Sequence, residues 1–130
     1  MSDVVVTVPK PLWFDWIEEG DAVGEPDTGE EWGFFLGGPM PKCEPGDRCY
    51  VVAWGRLRGF APITRVARTD RGFAICRRAG AVALTVPQAI PGFRGWRYRD
   101  WDRAIEVPFP EWKTEGVTPD RIAREIEARR

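Results

Sequence analysis

Val4-Val5-Val6-Thr7-Val8 is a short β-branched run that predicts a buried first strand. Pro9 and Pro11 end it, and Pro11 suits the first turn of a helix, where its missing N–H has no partner to lose. Leu12, Trp13, Trp16 and Ile17 then fall at i, i+1, i+4 and i+5, the apolar stripe of an amphipathic helix that stops at Gly20. From Asp21 to Glu31, acids interspersed with Gly24, Pro26 and Gly29 read as an exposed loop. Strand patterns return at 32–36, 48–54, 60–67, 72–77 and 81–86. Glu44-Pro45-Gly46-Asp47 predicts a β-turn with proline at a favoured position. Pro62 places its strand at an edge or a bulge, because it has no N–H to donate. Ile105-Glu106-Val107 predicts a last strand. Thr118, followed by Pro119 and Asp120, caps a terminal helix whose apolar stripe (Ile122, Ala123, Ile126) is thin.

Six or seven strands with two or three flanking helices predict an α+β fold, a bent sheet or small β-barrel. The expected organisation is one domain over residues 1–117, with 118–130 as a helix that packs lightly or docks on a partner. At 130 residues the chain can bury a single core without staples. Apolar residues make up 43% and charged residues 30%, the balance of a soluble globular protein. No apolar run approaches the roughly 18 residues of a membrane helix, and the N-terminus has no signal-peptide pattern. The expected location is the cytoplasm, with no membrane partner.

Histidine is absent, and Cys43, Cys49 and Cys76 form no CxxC pair. That excludes Ser-His-Asp and Cys-His catalytic units, and no metal or cofactor is expected. The odd, unpaired cysteines fit a reducing compartment and read as small buried hydrophobes.

The net charge of −1 conceals a division. Residues 1–47 hold eleven acids against two bases, Lys10 and Lys42, a balance of −9. Residues 48–103 hold twelve arginines against three acids, a balance of +9. Either this gives a basic face that attracts polyanions, or the two halves pair within the fold.

The second half ends in Gly92-Phe93-Arg94-Gly95-Trp96-Arg97-Tyr98-Arg99-Asp100-Trp101-Asp102-Arg103, rings alternating with guanidiniums. Rings stack on bases and arginines pair with phosphates, so the alternation suits a single-stranded nucleic-acid surface. The competing reading is a loop whose tryptophans plug the core. In an extended segment Trp96 and Tyr98 point to one side, and Arg97 and Arg99 to the other. Two further candidates stand beside this one. Trp32 lies at the mouth of the aromatic strand Trp32-Gly33-Phe34-Phe35, next to acids. Arg56 and Arg58 are bracketed by Gly55 and Gly59, which permit close backbone approach to a ligand.

Lys10-Pro11, with Ile17 and Gly20 at their spacing, resembles the opening of ASCH domains of the PUA-like superfamily. Glu44-Pro45-Gly46-Asp47-Arg48 before a hydrophobic strand is similar to the Gly-Asp turn of these barrels, and Gly59 to Val66 to their returning strand. The likeness covers roughly residues 4–112 through short motifs. Gly20 and Glu25 fit the family's hallmark after the helix, whereas Ala22 and Asp27 stand where it has lysine and arginine. Only Lys10 and Glu25 carry over. The resemblance implies a PUA-like barrel whose cleft binds RNA, nucleotides or a modified base.

Together these readings lead to a nucleic-acid module, RNA ahead of DNA, or a binder of a nucleotide or modified base. Its site residues are Lys10, Trp32, Arg56, Arg58, Arg94, Trp96, Arg97 and Tyr98. One alternative is a small metal-independent ribonuclease on the same cleft, resting on Lys10, Tyr50 or Tyr98, arginines and carboxylates. Another is a protein-interaction module that uses the acidic loop 21–31 and the terminal helix.

Overall fold

Alternation along the valine-rich strands sets the architecture, because successive side chains point to opposite faces. A computed structural model describes residues 2–8, 31–78, 82–112 and 115–128. Among these residues are strands β1 (Val4–Thr7), β2 (Glu31–Leu36), β3 (Arg48–Ala53), β4 (Arg56–Thr69), β5 (Gly72–Arg78), β6 (Val82–Thr85), β7 (Trp96–Tyr98) and β8 (Val107–Pro108). A 3-10 turn, Arg103–Ile105, precedes β8, and helix α1 (Pro119–Ala128) follows it. The order across the sheet is β2-β5-β4-β3-β1-β7, with β6 branching from β4 and pairing β8. β1 runs parallel to β3, and the other pairs are antiparallel.

The chain is thus a mixed, mostly β structure, α+β in the broad sense. Several expectations change in detail. The strand order stays open at β2 and β7 among the described residues, so no strand pairing closes a barrel. One α-helix is described rather than two or three, and the helix expected over 11–20 lies outside the described residues. Ile105 ends the 3-10 turn instead of opening a strand, because Asp102 caps that turn by accepting from the Ala104 N–H at 2.9 Å. Thr118 caps α1 as its sequence predicts, its Oγ1 accepting from Arg121 N at 3.2 Å. Ile126 of the thin stripe is 43% exposed.

Both faces of the central strands are covered. Val4, Val6, Cys49, Val51 and Ala53 join Ile63, Phe73, Ile75, Phe109 and Trp112 in one core cluster. Val5, Tyr50, Val52 and Leu57 form the second with Leu84, Val86 and Trp101. Residues 86–93, together with Trp101, roof the second cluster, with Ile90 and Phe93 packed against it. Ile90 N donates to Gly55 O at 2.9 Å and Phe93 N to Thr7 Oγ1 at 3.2 Å, fixing this roof to the sheet.

β4 is longer than its sequence pattern, and it changes partners along its length. Residues 56–62 pair β3, and residues from Ile63 to Thr69 pair β5. β6 pairs β4 only at Gly59 and Phe60. Pro62 lies in the interval between the β6 and β5 ladders, beside the register shift at Ile63/Arg65, so its missing N–H interrupts no ladder bond. It marks a bulge in an internal strand, not an edge. At Gly59 a Cβ would run into the Val82 carbonyl, which explains why a glycine admits β6 here. Trp54 and Gly55 both have positive φ (53° and 70°) in the two-residue turn from β3 to β4, the backbone a tight hairpin requires.

Candidate nucleic-acid interface

The segment that alternates rings and guanidiniums becomes β7, an edge strand antiparallel to β1. Trp96 pairs with Val6 and Tyr98 with Val4, so both rings lie on the side of the first core cluster. Their centroids are 4.7 Å apart at 80°, an edge-on contact. Trp96 packs on that cluster, and its Nε1 donates to Pro39 O at 2.8 Å. Tyr98 Oη accepts from Lys42 N at 3.1 Å, which holds a ring that is still 46% exposed. Trp96 is therefore a half-buried support and Tyr98 the accessible ring. On the other side of the strand the exposed Arg97 lies over the Phe93 ring, 4.2 Å from its centroid. Arg94 is exposed at the bend before β7, where Gly95 has φ +73°.

The same contacts place the two open edges near each other. β2 ends at Leu36, and Pro39, three residues on, already bonds Trp96 of β7. Three extended residues reach about 10 Å. Trp96 and Tyr98 thus bond the main chain of residues 39–42, the segment that follows β2.

Beyond Tyr98 the arginines, half-buried Arg99 and exposed Arg103, are held by an internal carboxylate. Asp3, buried, accepts from Arg48 N at 2.9 Å, Arg99 Nε at 3.1 Å and Arg103 Nη2 at 2.6 Å. Burial pushes the Asp3 carboxyl up, but these hydrogen bonds and the Arg103 charge outweigh it and hold it below the usual value. Arg99 also donates to Trp101 O. Glu106 accepts from Tyr50 Oη at 2.6 Å, Trp101 Nε1 at 2.9 Å and Arg48 Nη1 at 3.1 Å. Burial, then the bond to Glu106, pushes the Tyr50 hydroxyl up to about 12. Tyr50 belongs to the second cluster and Tyr98 packs beside the first, so the two hydroxyls lie on opposite faces of the sheet and do not converge on one reaction centre.

Arg56 and Arg58 lie on β4, three strands from β7. β1 and β3 separate β7 from β4, about 14 Å at a strand spacing of ~4.8 Å. Arg56 Nη1 donates to Glu115 at 3.2 Å and Nη2 to Thr85 Oγ1 at 3.4 Å. Arg58 is 1% exposed, so its guanidinium does not reach the surface. It donates to the carbonyls of Ala53 (2.8 Å), Trp112 (3.2 Å) and Trp54 (3.4 Å) and lies 3.6 Å from Glu115. Its glycine brackets serve the hairpin turn and the approach of β6. From the acidic half of the chain, Asp3 pairs with Arg99 and Arg103 of the basic half, whereas Arg48, Arg56 and Arg58 meet Glu106 and Glu115, which lie beyond both halves.

Of the expected set, the structure brings together Arg94, Trp96, Arg97 and Tyr98. Lys10 lies outside the described residues, as do Gly20, Glu25 and the acidic loop up to Glu30. Trp32 enters through its backbone, paired with Arg77 at the start of β2. Cys49 and Cys76 are buried and Cys43 is half-buried. Burial pushes the Cys49 thiol up to about 12 and Cys43 up to about 11, so neither is a nucleophile near neutral pH. Sequence reasoning missed Phe35, 77% exposed on β2. The signal was the alternation of Phe34 and Phe35, which sends neighbouring rings to opposite faces. No protein-family model, curated protein or solved structure matches the chain.

Proposed function

We propose that this protein is a single-stranded nucleic-acid-binding module, RNA ahead of DNA, that grips its ligand along the β7 edge. The observation that carries the reading is the exposed Tyr98 ring, braced by Trp96 and flanked by the exposed Arg94 and Arg97. An edge strand offers both of its faces, so a ligand running along it meets the ring on one side and a guanidinium on the other. Tyr98 supplies base stacking, and the arginines supply phosphate pairing. Trp96, bonded to Pro39, fixes the ring rather than contacting the ligand. Arg56 and Arg58 stand apart from this surface and take no part.

The finer fold belongs to the same proposal. A PUA-like barrel, closed at its seam by the segment 39–42, is supported by the bonds from Trp96 and Tyr98 to that segment. Three free thiols fit a reducing, cytoplasmic setting.

The test is fluorescence polarisation with labelled single-stranded RNA, single-stranded DNA and duplex at two salt concentrations. The single strands bind, affinity falls steeply with salt, and Tyr98→Ala weakens binding about fivefold to tenfold. An absence of binding at low salt across the panel overturns the reading, as does a preference for duplex that Tyr98→Ala leaves unchanged.

A further inference from the structure

Phe35 is the most exposed large hydrophobic residue described, at 77%. The far edge of its ring is folded back along β2 over Gly33, where a Cβ would lie 3.5 Å from Cζ and 3.6 Å from Cε2. Directly across the ladder stands Ala74, and beyond it Ala67 of β4. Glycine and alanine make a low floor, so the ring rests against the sheet, and among the described residues no large neighbour in that row covers its outer side. The ring borders a concavity of about 470 Å³ that Leu36, Gly37, Thr69, Asp70 and Arg71 complete. Asp70 and Arg71 are the two turn residues between β4 and β5, and both are exposed.

An exposed ring, one cation and one carboxylate around a space of this size define a class of ligand. The volume falls within the range of small-molecule sites. A planar ring with an open face stacks a planar partner, a guanidinium pairs with phosphate, and a carboxylate accepts from an exocyclic amino group. We infer that Phe35 is a second stacking platform for the same strand, holding one unpaired base whose phosphate meets Arg71 and whose amino group meets Asp70. This inference rests on the nucleic-acid reading and extends it. Phe35 and Pro39 are four residues apart, about 14 Å at full extension, so the platform adjoins the seam where Trp96 and Tyr98 are held.

The experiment uses the full chain with labelled oligocytidylate and oligouridylate at low salt. Wild type binds the cytidylate more tightly, because only cytosine offers an amino group to Asp70. Phe35→Ala weakens binding about tenfold, Phe35→Trp keeps it, and Asp70→Asn removes the preference for cytidylate. Far-ultraviolet circular dichroism checks that each variant is folded. Phe35→Leu at wild-type affinity overturns the inference, since it would make the site an apolar contact suited to a protein partner. Phe35→Ala at wild-type affinity while Tyr98→Ala weakens binding overturns the platform and leaves the β7 reading standing. The converse leaves the platform and removes β7. If neither oligonucleotide binds, both readings fall.

Discussion

β7 and the turn that follows it are built from the same residues, rings alternating with guanidiniums, yet they reach opposite states. From Arg99 to Arg103 every arginine is bonded to buried Asp3, and the Trp101 ring is 8% exposed with its Nε1 on Glu106. Over Arg94 to Tyr98 the arginines remain exposed and Tyr98 is 46% exposed. Arginine content does not separate the two. The difference is the presence of buried carboxylates, one from the first residues of the chain and one from the segment after the 3-10 turn. Where a carboxylate has been carried inside, cations become part of the scaffold. Where none has, they remain available to an outside anion.

The largest effect follows from removing the inside carboxylate. Glu106 accepts from three donors, and its side chain is 7% exposed. Glu106→Ala leaves Tyr50 Oη and Trp101 Nε1 without an acceptor and Arg48 without its ion pair. Leaving such partly buried donors without their acceptor costs about 1–3 kcal/mol. Urea unfolding should show that loss, and Glu106→Gln, which keeps an acceptor oxygen, should lose less. Stability unchanged by Glu106→Ala would make this turn no more a scaffold than β7 is.

The next effect is a pH dependence that belongs to the scaffold alone. Asp3 titrates lower in the folded protein than the ordinary carboxylate, near 4, that it becomes on unfolding. Between those two values the unfolded chain holds more protons than the native one, so stability falls as pH falls. The Asp3 contribution is full above about pH 4 and disappears once pH drops through the folded value. Urea titrations of wild type and Asp3→Asn should therefore show a constant gap at neutral pH that closes in acid. A gap that widens in acid would reverse the sign and remove Asp3 as the holder of Arg99 and Arg103.

What was legible in the chain follows the reach of each interaction. The first valine strand, the Glu44–Asp47 turn and the Thr118 cap are local, and each is decided by residues within four positions of one another. The turn closes with Asp47 N donating to Glu44 O at 3.0 Å. The pairing of Asp3 with arginines almost a hundred residues later leaves no local trace, so the same charges read equally well as a basic face. The extra length of β4 depends on β5 and β6 arriving beside it. In β2 the alternation separates Phe34 from Phe35 but does not say which face becomes the core, and that is why Trp32 stood in the expected site while Phe35 did not.

The smallest effect on stability is the most telling for the comparison. Arg94→Gln and Arg97→Gln remove exposed cations that hold no buried carboxylate among the described residues, and surface changes of this kind stay within about 0.5 kcal/mol. Unfolding midpoints should be nearly those of wild type, in contrast to Glu106→Ala. Binding should respond instead. Each lost phosphate contact lowers affinity for all single strands alike and reduces the slope of log affinity against log salt by roughly one. Arg97→Gln also gives up the contact with Phe93, so any small loss of stability should appear there and not at Arg94. If both variants keep the wild-type salt slope, the exposed arginines of β7 are solvated bystanders, and the contrast between the two halves of this segment is one of burial alone.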